Sequence, residues 1–218
     1  MKKITVKGMG QVSRNPDLIV VSMKLVTEDK EYDKTMESAA ERITRLNDAM
    51  VEIGFEKEAV KTTNFSVRTD YENVRNKDGS YKNVLKGYVC NHNLKIEFDF
   101  DMKRLAKVLA SISQCLATPE FSISFTLKNP AEIQRELLIS ATQNAKEKAE
   151  ILCEAAGEKL GELVSIDYNW GEIDVFSDTD VAVGRSLMTK AAVCFGSVDI
   201  EPDDIRVNDT ATFTWEIR

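Results

Sequence analysis

Cys90 and His92 are close in sequence, and their types and spacing suggest either metal ligands or a catalytic pair. One residue separates them on a segment with strand periodicity, so both side chains project from the same face of that strand. Alternate strand residues can chelate a metal ion, but zinc would need two more ligands, and the other cysteines are not spaced to supply them. We therefore interpret His92 as a packed or hydrogen-bonded core residue and predict no metal site.

His92 is the only histidine of the chain, so any nucleophile with an imidazole base would have to use it. Cys90 is too near in sequence, and points the same way, to form a convincing Cys–His catalytic pair. The sequence contains no Walker loop, no G-x-S-x-G and no H-E-x-x-H. We predict no catalytic residues and no cofactor, and an enzyme without a common signature remains an alternative.

Two other groups begin like a binding motif and then depart from it. Asp174, Asp178 and Asp180 are followed by apolar residues, where a calcium-binding EF-hand requires glycine and then a distant glutamate. Gly8-Met9-Gly10 follows a short strand pattern, as in a dinucleotide loop, but the third glycine and the helix are missing. We interpret the acids as a solvated loop and the glycines as allowing a bulge or close packing of a strand.

Three segments have the apolar period of an amphipathic helix, which must cover a sheet or another helix. Gly54 and Gly157 are placed to end the first and the third, and Asn129-Pro130 is typical of a helix start. The apolar positions run from Met36 to Ile53, from Leu105 to Cys115 and from Ile133 to Leu152.

Alternating apolar and polar residues predict strands in most of the remaining chain. The longest follows a turn at Asp78-Gly79. Its apolar face carries Tyr88, Cys90, His92, Leu94, Ile96, Phe98 and Phe100. The predicted fold class is α+β, a mixed, antiparallel-rich sheet covered by three helices, in the order β-β-α-β-β-α-β-α-β-β. We expect one domain over residues 1–218, with a division into subdomains at about 1–100 and 101–218 as a variant.

A segment from about residue 171 to residue 200 has neither period. It is too apolar for a freely solvated loop, and loops of this length are usually functional or disordered. Exposed apolar stretches commonly mark interfaces. The interface candidates in this segment are Leu187, Met188, Val193 and Phe195.

Charge and hydropathy exclude several partners and predict a location. The formal net charge is −7 and there is no block of Lys and Arg, which argues against nucleic acid. No apolar run approaches the roughly 20 residues that span a bilayer. The basic start is not followed by the apolar stretch of about 7–15 residues of an export signal, so we predict a cytoplasmic protein. The alternative is the periplasm or cell envelope, for a chain whose native signal has been removed.

The four cysteines form no C-x-x-C pair. In a cytoplasmic protein we expect them to be reduced thiols, mostly packed as small apolar residues. They are Cys90, Cys115, Cys153 and Cys194.

Several stretches, in the same order along nearly the whole chain, resemble the SIMPL domain family. They are residues 4–10 with Pro16-Asp17, residues 60–65, Gly87-Tyr88 with Asn91 and Asn93, residues 145–161, and residues 200–205. The family includes bacterial periplasmic immunogenic proteins, proteins linked to oxidative-stress defence and an animal protein that binds a signalling kinase. The resemblance implies no catalytic residues and no cofactor, and some bacterial members form ring- or channel-like oligomers. This chain departs from the family in lacking an export signal and a proline-rich penultimate loop.

The residues and the resemblance together favour a non-enzymatic protein that self-associates or binds a protein partner, with a stress-related role. Its most natural partner is a further copy of the same chain. The alternatives are a small-molecule-binding protein that uses the concave face of the sheet, and an enzyme without a recognisable motif.

Overall fold

The computed structural model describes residues 2–75, 77, 79–115, 117–169, 171, 173–183 and 201–218. In chain order the elements are β1 (Lys3–Arg14), β2 (Leu18–Asp29), α1 (Tyr32–Glu52), β3 (Lys61–Arg75), β4 (Tyr81–Asp99), α2 (Met102–Gln114), β5 (Glu120–Thr126), α3 (Pro130–Ala155), β6 (Leu160–Asp167), β7 (Phe176–Val183) and β8 (Ile205–Ile217). This order confirms the predicted α+β class with three helices. It adds one strand, β7, within the segment expected to be irregular.

The strands form two sheets, with the orders β1-β8-β6 and β3-β4-β2-β5-β7. The pairs β1–β8, β6–β8, β2–β4 and β3–β4 are antiparallel, as the alternation of side chains predicted. The pair β1–β8 joins the two ends of the chain, with Lys3 opposite Glu216 and Arg14 opposite Ile205. A long-range pair of this kind cannot be set by a local hairpin turn.

The chain forms two compact units from interleaved segments. The first contains residues 1–17, 126–178 and 202–218, and the second contains residues 18–125 and 179–201. In the first unit α3 packs against β1 and β8. In the second unit α1 packs against β2 and β4 and also contacts α2.

The core of the second unit lies on the helix-facing side of its strands. Every second residue of β2 is buried there, and α1 and α2 contribute one buried face each, as their periods predicted. The core side chains include Ile19, Val21, Met23, Leu25, Leu46, Met50, Leu94, Ile96, Leu105, Leu109, Ile112 and Ile123. Cys90 is buried on the same side of β4, as expected for a packed thiol.

The helix ends agree with the sequence at their carboxyl termini and less well at one start. Gly54 has φ 90° and Gly157 has φ 74°, the left-handed conformation that glycine adopts without strain after a helix. Asn129 lies at the N-cap of α3 and is followed by Pro130, as predicted. The Asn129 side chain, however, makes no hydrogen bond to the backbone of the helix.

Candidate functional site

One face of the outer strand β1 is in close contact with α3 in the first unit. A Cβ atom added to Gly8 would lie 2.1 Å from the carbonyl oxygen of Ala141, and one added to Gly10 would lie 2.1 Å from that of Leu137. Only glycine allows the backbones to approach this closely. The interpretation of Gly8 and Gly10 as residues for close strand packing is therefore confirmed.

Polar side chains of α3 also bind the backbone of β1. The backbone N–H of Met9 donates to Asn144 Oδ1 at 3.1 Å, and Lys148 Nζ donates to the carbonyl oxygen of Lys7 at 3.4 Å. The backbone N–H of Gln11 donates to the hydroxyl of Ser140 in the same way. These contacts occupy groups that an edge strand would otherwise offer to another strand.

The second unit contains two strand segments that, unlike β1, have no helix side chains bound to their backbone in the contacts described above. β4 pairs with β2 only as far as Tyr88, which lies opposite Asp29, whereas its pairing with β3 continues to Tyr81, opposite Arg75. Residues 70–75 and 81–87 are therefore paired only with each other, within the part of the chain that the structure describes. We call these two stretches the β3–β4 ribbon.

Large apolar side chains are exposed on the β3–β4 ribbon. Directly opposite residues of antiparallel strands share a face, so the pairs Tyr71–Leu85 and Arg75–Tyr81 place Tyr71, Tyr81 and Leu85 on one face. Tyr71 is 54% exposed, Tyr81 is 70% exposed and Leu85 is 46% exposed. The other face carries the exposed Val74 and Val84.

This ribbon has the properties of an interaction surface. An isolated two-stranded ribbon is marginally stable in water, and three strands or packing against another element are normally needed. Clustered, exposed apolar side chains are typical of protein interfaces. The ribbon could therefore gain stability by burying either face, or the edge that no described strand covers, against another protein surface.

A small cavity of about 180 Å³ lies at the base of the ribbon. Lys86 donates from Nζ to Asp70 Oδ2 at 3.0 Å beside it, and this hydrogen bond lowers the pKa of Asp70 and raises that of Lys86. Gly87 is required here, because a Cβ atom would lie 2.3 Å from the carbonyl oxygen of Asp29. Ligand pockets usually measure about 300–1,000 Å³, so this cavity is small for a metabolite.

His92 lies near the ribbon, on the helix-facing side of β4. Its Nε2 atom is hydrogen-bonded to the hydroxyl of Thr62 at 2.8 Å. The ring of Phe65 meets the imidazole edge to face, with ring centroids 5.1 Å apart. Burial lowers the pKa of His92 and raises the pKa of the Cys90 thiol, so the uncharged form of each is favoured.

Cys90 and His92 share a face of β4, opposite Thr27 and Leu25 of β2, as their spacing predicted. An uncharged thiol is a poor nucleophile, so this environment does not activate Cys90. Within the described ranges, no group of three or more His, Cys, Asp or Glu side chains is arranged to hold a metal ion. The sequence interpretation of both residues as core residues without a metal stays a prediction.

Among the other candidates from the sequence, Asp174 belongs to the first unit and others lie outside the described residues. Asp174 lines a polar hollow of about 370 Å³ in the first unit, together with Arg206, Asn208 and Asp209. The predicted interface residues, and also Cys194, lie outside the residues that the structure describes. Those interface residues are Leu187, Met188, Val193 and Phe195.

The sequence interpretation did not identify Tyr81, Val84 or Leu85 as site residues. A signal was present, because these three residues stand in a polar stretch directly after the Asp78-Gly79 turn. Large apolar residues beside a hairpin turn have no core within local reach. Such a pattern can predict an exposed ribbon before the structure is known.

No helix in the described part of the chain is long and apolar enough to cross a membrane.

Comparison with known proteins adds a family and corrects the predicted location. Residues 4–215 match the SIMPL family, described as "Protein of unknown function (DUF541)". Two similar relatives are the 26 kDa periplasmic immunogenic proteins of Brucella melitensis and Brucella abortus. Each is 24% identical over 164 residues, which make up 75% of this chain and 65% of the relative.

Both relatives are named as periplasmic proteins, which contradicts the cytoplasmic location predicted from the sequence. That prediction is wrong, since it rested only on the residues that follow Met1. The family match, by contrast, agrees with the resemblance in its order and extent. Because the match covers nearly the whole chain, the protein belongs to the SIMPL family.

Proposed function

We propose that this protein is a non-enzymatic protein of the periplasm or cell envelope that self-associates and thereby buries the β3–β4 ribbon. The observation that carries the proposal is the exposure of Tyr71, Tyr81 and Leu85 on one face of a ribbon to which no third strand of the described residues is added. The names of the two Brucella relatives support the location. Burial raises the pKa of the Cys90 thiol and lowers the pKa of His92, which activates neither residue and supports a non-enzymatic role.

The apolar area fixes the expected strength of association. An aromatic side chain buries about 150–250 Å², so the exposed parts of Tyr71, Tyr81 and Leu85 amount to roughly 300 Å² per copy. At about 25 cal/mol per Å², two copies together gain on the order of 15 kcal/mol at most. Association itself costs about 4–15 kcal/mol in lost freedom of motion. The net free energy of association through the ribbon is therefore at most about 11 kcal/mol, and association at micromolar concentration requires about 8 kcal/mol.

Sedimentation velocity across a range of micromolar concentrations tests the proposal. The parent protein should sediment as particles heavier than the 24.5 kDa chain. The double variant Tyr71→Ser/Leu85→Ser should shift the distribution towards the monomer, because it removes apolar area from one face. Its circular dichroism and melting should stay close to those of the parent, since both side chains are largely exposed.

Asn83→Ser is the matched control, because Asn83 lies between Tyr81 and Leu85 on the same face and is already polar. It should leave the sedimentation unchanged. A parent protein that stays monomeric throughout the concentration range would contradict self-association. An unchanged mass in the double variant would show that the copies associate through another surface.

A further inference from the structure

We propose that two copies of this chain join edge to edge through β3, which pairs antiparallel with β3 of the second copy about a two-fold axis at Thr69. This inference rests on the proposed function, because it identifies the partner as a second copy and gives the register of β3, the strand that contributes residues 70–75 to the ribbon. The result would be a continuous sheet that runs through both copies.

The outer edge of β3 is suited to this pairing. Within the part of the chain that the structure describes, β3 is the terminal strand in the order β3-β4-β2-β5-β7, and it spans fifteen residues, from Lys61 to Arg75. It contains neither proline nor glycine, which commonly interrupt pairing at sheet edges. An edge strand offers a row of backbone N–H and C=O groups, and strand addition is a frequent mode of association between proteins.

Symmetry restricts the possible registers. When two identical strands pair about a two-fold axis, one residue lies on the axis and opposes its own copy. Residues at equal distances on either side of the axis then oppose each other. Opposite residues share a face, so the helix-facing side of one copy continues into the helix-facing side of the other.

An axis at Thr69 gives complementary neighbours on both faces. On the open face, Arg68 of each copy lies opposite Asp70 of the other, which makes two opposite-charge pairs. On the helix-facing side, Val67 of each copy lies opposite Tyr71 of the other. The remaining opposed pairs are Thr69 with itself, Ser66 with Glu72, Phe65 with Asn73, and Asn64 with Val74.

The neighbouring registers are less favourable. An axis at Arg68 or at Asp70 places that charged residue opposite its own copy, and like charges directly opposite are destabilising. An axis at Tyr71 places Asp70 opposite Glu72. An axis at Val67 avoids like charges but forms no opposite-charge pair. Charge complementarity therefore selects Thr69.

The contacts already made within one copy are compatible with this arrangement. Asp70 accepts a hydrogen bond from Lys86 through Oδ2, and a carboxylate can accept several hydrogen bonds. Arg68 is exposed and its charge already lowers the pKa of the neighbouring Asp70. The pairing also brings Phe65, Val67 and Tyr71 of the two copies together on one face, so it extends the apolar face of the ribbon.

Disulfide trapping tests the register. Cβ atoms of directly opposite residues are about 4.5–5.5 Å apart, close to the distance that a disulfide requires. Thr69 is exposed, so Thr69→Cys should give a covalent dimer on mild oxidation. The parent protein, with its natural cysteines, is the background control. Ser66→Cys and Glu72→Cys should each fail to cross-link alone and should cross-link when the two variants are mixed.

Charge reversal provides a second, independent test. Arg68→Asp places two aspartates opposite each other twice, so the dissociation constant should rise at least fivefold. The double variant Arg68→Asp/Asp70→Arg restores the opposite-charge pairs and should recover most of the loss. Both variants concern exposed or half-buried side chains, and circular dichroism confirms that each is folded.

The outcomes separate this inference from the proposed function. If the parent self-associates but Thr69→Cys gives no covalent dimer, the register is overturned while self-association stands. Cross-linking of Ser66→Cys by itself, or an unchanged affinity in Arg68→Asp, would overturn it equally. A parent protein that is monomeric at all concentrations tested would overturn both.

Discussion

The outer strands β1 and β3 differ in whether another element of the chain covers them. β1 has helix α3 against it, with Gly8 and Gly10 at the contact and with Asn144 bound to its backbone. β3 ends in a ribbon whose large side chains are exposed. The difference shows that internal packing covers the edge of β1, whereas no further strand of the described residues pairs with the outer edge of β3.

The sequence of each strand explains whether a helix can pack closely against it. Gly8 and Gly10 alternate with larger residues, so one face of β1 has no side chains to keep a helix at the usual distance. β3 carries Phe65, Val67 and Tyr71 on the corresponding face, and these side chains would hold a helix away from its backbone. Covering an edge thus depends on side-chain size as well as on polarity.

The largest expected effect comes from adding a side-chain atom at the contact between β1 and α3. Gly8→Ala or Gly10→Ala puts a Cβ atom about 2 Å from a helix carbonyl oxygen, so the backbone of α3 must shift. Overpacking typically costs about 1–3 kcal/mol, and a collision with backbone belongs at or above the upper end. Urea denaturation should show each variant destabilised by about 3 kcal/mol or more.

Gly171→Ala is the matched control for these glycine variants. Nothing lies within 4 Å of the position that its Cβ atom would occupy. Its free energy of unfolding should stay within about 0.5 kcal/mol of the parent value. Equal stability of Gly8→Ala and the parent would refute the close packing of β1 on α3.

A smaller effect is expected when a hydrogen bond between α3 and the backbone of β1 is removed without a steric clash. Asn144→Ala removes the acceptor of the Met9 backbone N–H and should cost about 1 kcal/mol. Amide hydrogen exchange should become faster at Met9. The neighbouring Gln143→Ala, at an exposed position, should change neither quantity.

The sequence predicted those parts of the fold that depend on local patterns. The periods of the three helices, the alternation on β4 and the glycines after α1 and α3 all correspond to observed elements. Close packing at Gly8 and Gly10 was one of the two predictions for these glycines, the other being a bulge. In each case the residues that determine the structure lie within a few positions of one another.

The interleaved units and the length of the ribbon could not be predicted from local patterns. β1 pairs with β8 at the other end of the chain, and no local signal identifies that partner. The ribbon exists because β2 pairs with β4 only up to Asp29, so its length depends on a different strand. The sequence did not predict β7, because aspartates such as Asp178 and Asp180 are uncommon in strands. Its pairing with β5 also depends on tertiary structure that no local pattern shows.

Substitutions at the tip of the ribbon should have almost no effect on the folded single chain. Tyr81→Ser should leave the free energy of unfolding within about 0.5 kcal/mol of the parent at concentrations where the chain is monomeric, because Tyr81 is 70% exposed. At higher concentrations, any difference in melting reports on association. A large loss at all concentrations would mean that Tyr81 packs within its own chain, and the comparison with β1 would fail.

The last expected effect is a pH dependence of stability at His92, near the base of the ribbon. Burial lowers the pKa of His92 in the folded protein, whereas in the unfolded chain it should be near 6.5. The unfolded chain therefore binds the proton first as the pH falls. The stability that comes from uncharged His92 is fully present above about pH 6.5 and is lost as the pH falls towards the folded-state value.

Between pH 7.5 and pH 5, the parent should lose more stability than His92→Gln, which keeps a polar group beside Thr62. The carboxylates titrate in both proteins, so the difference between them isolates the single histidine. A difference that does not change with pH would mean that the base of the ribbon is as open to water as its tip.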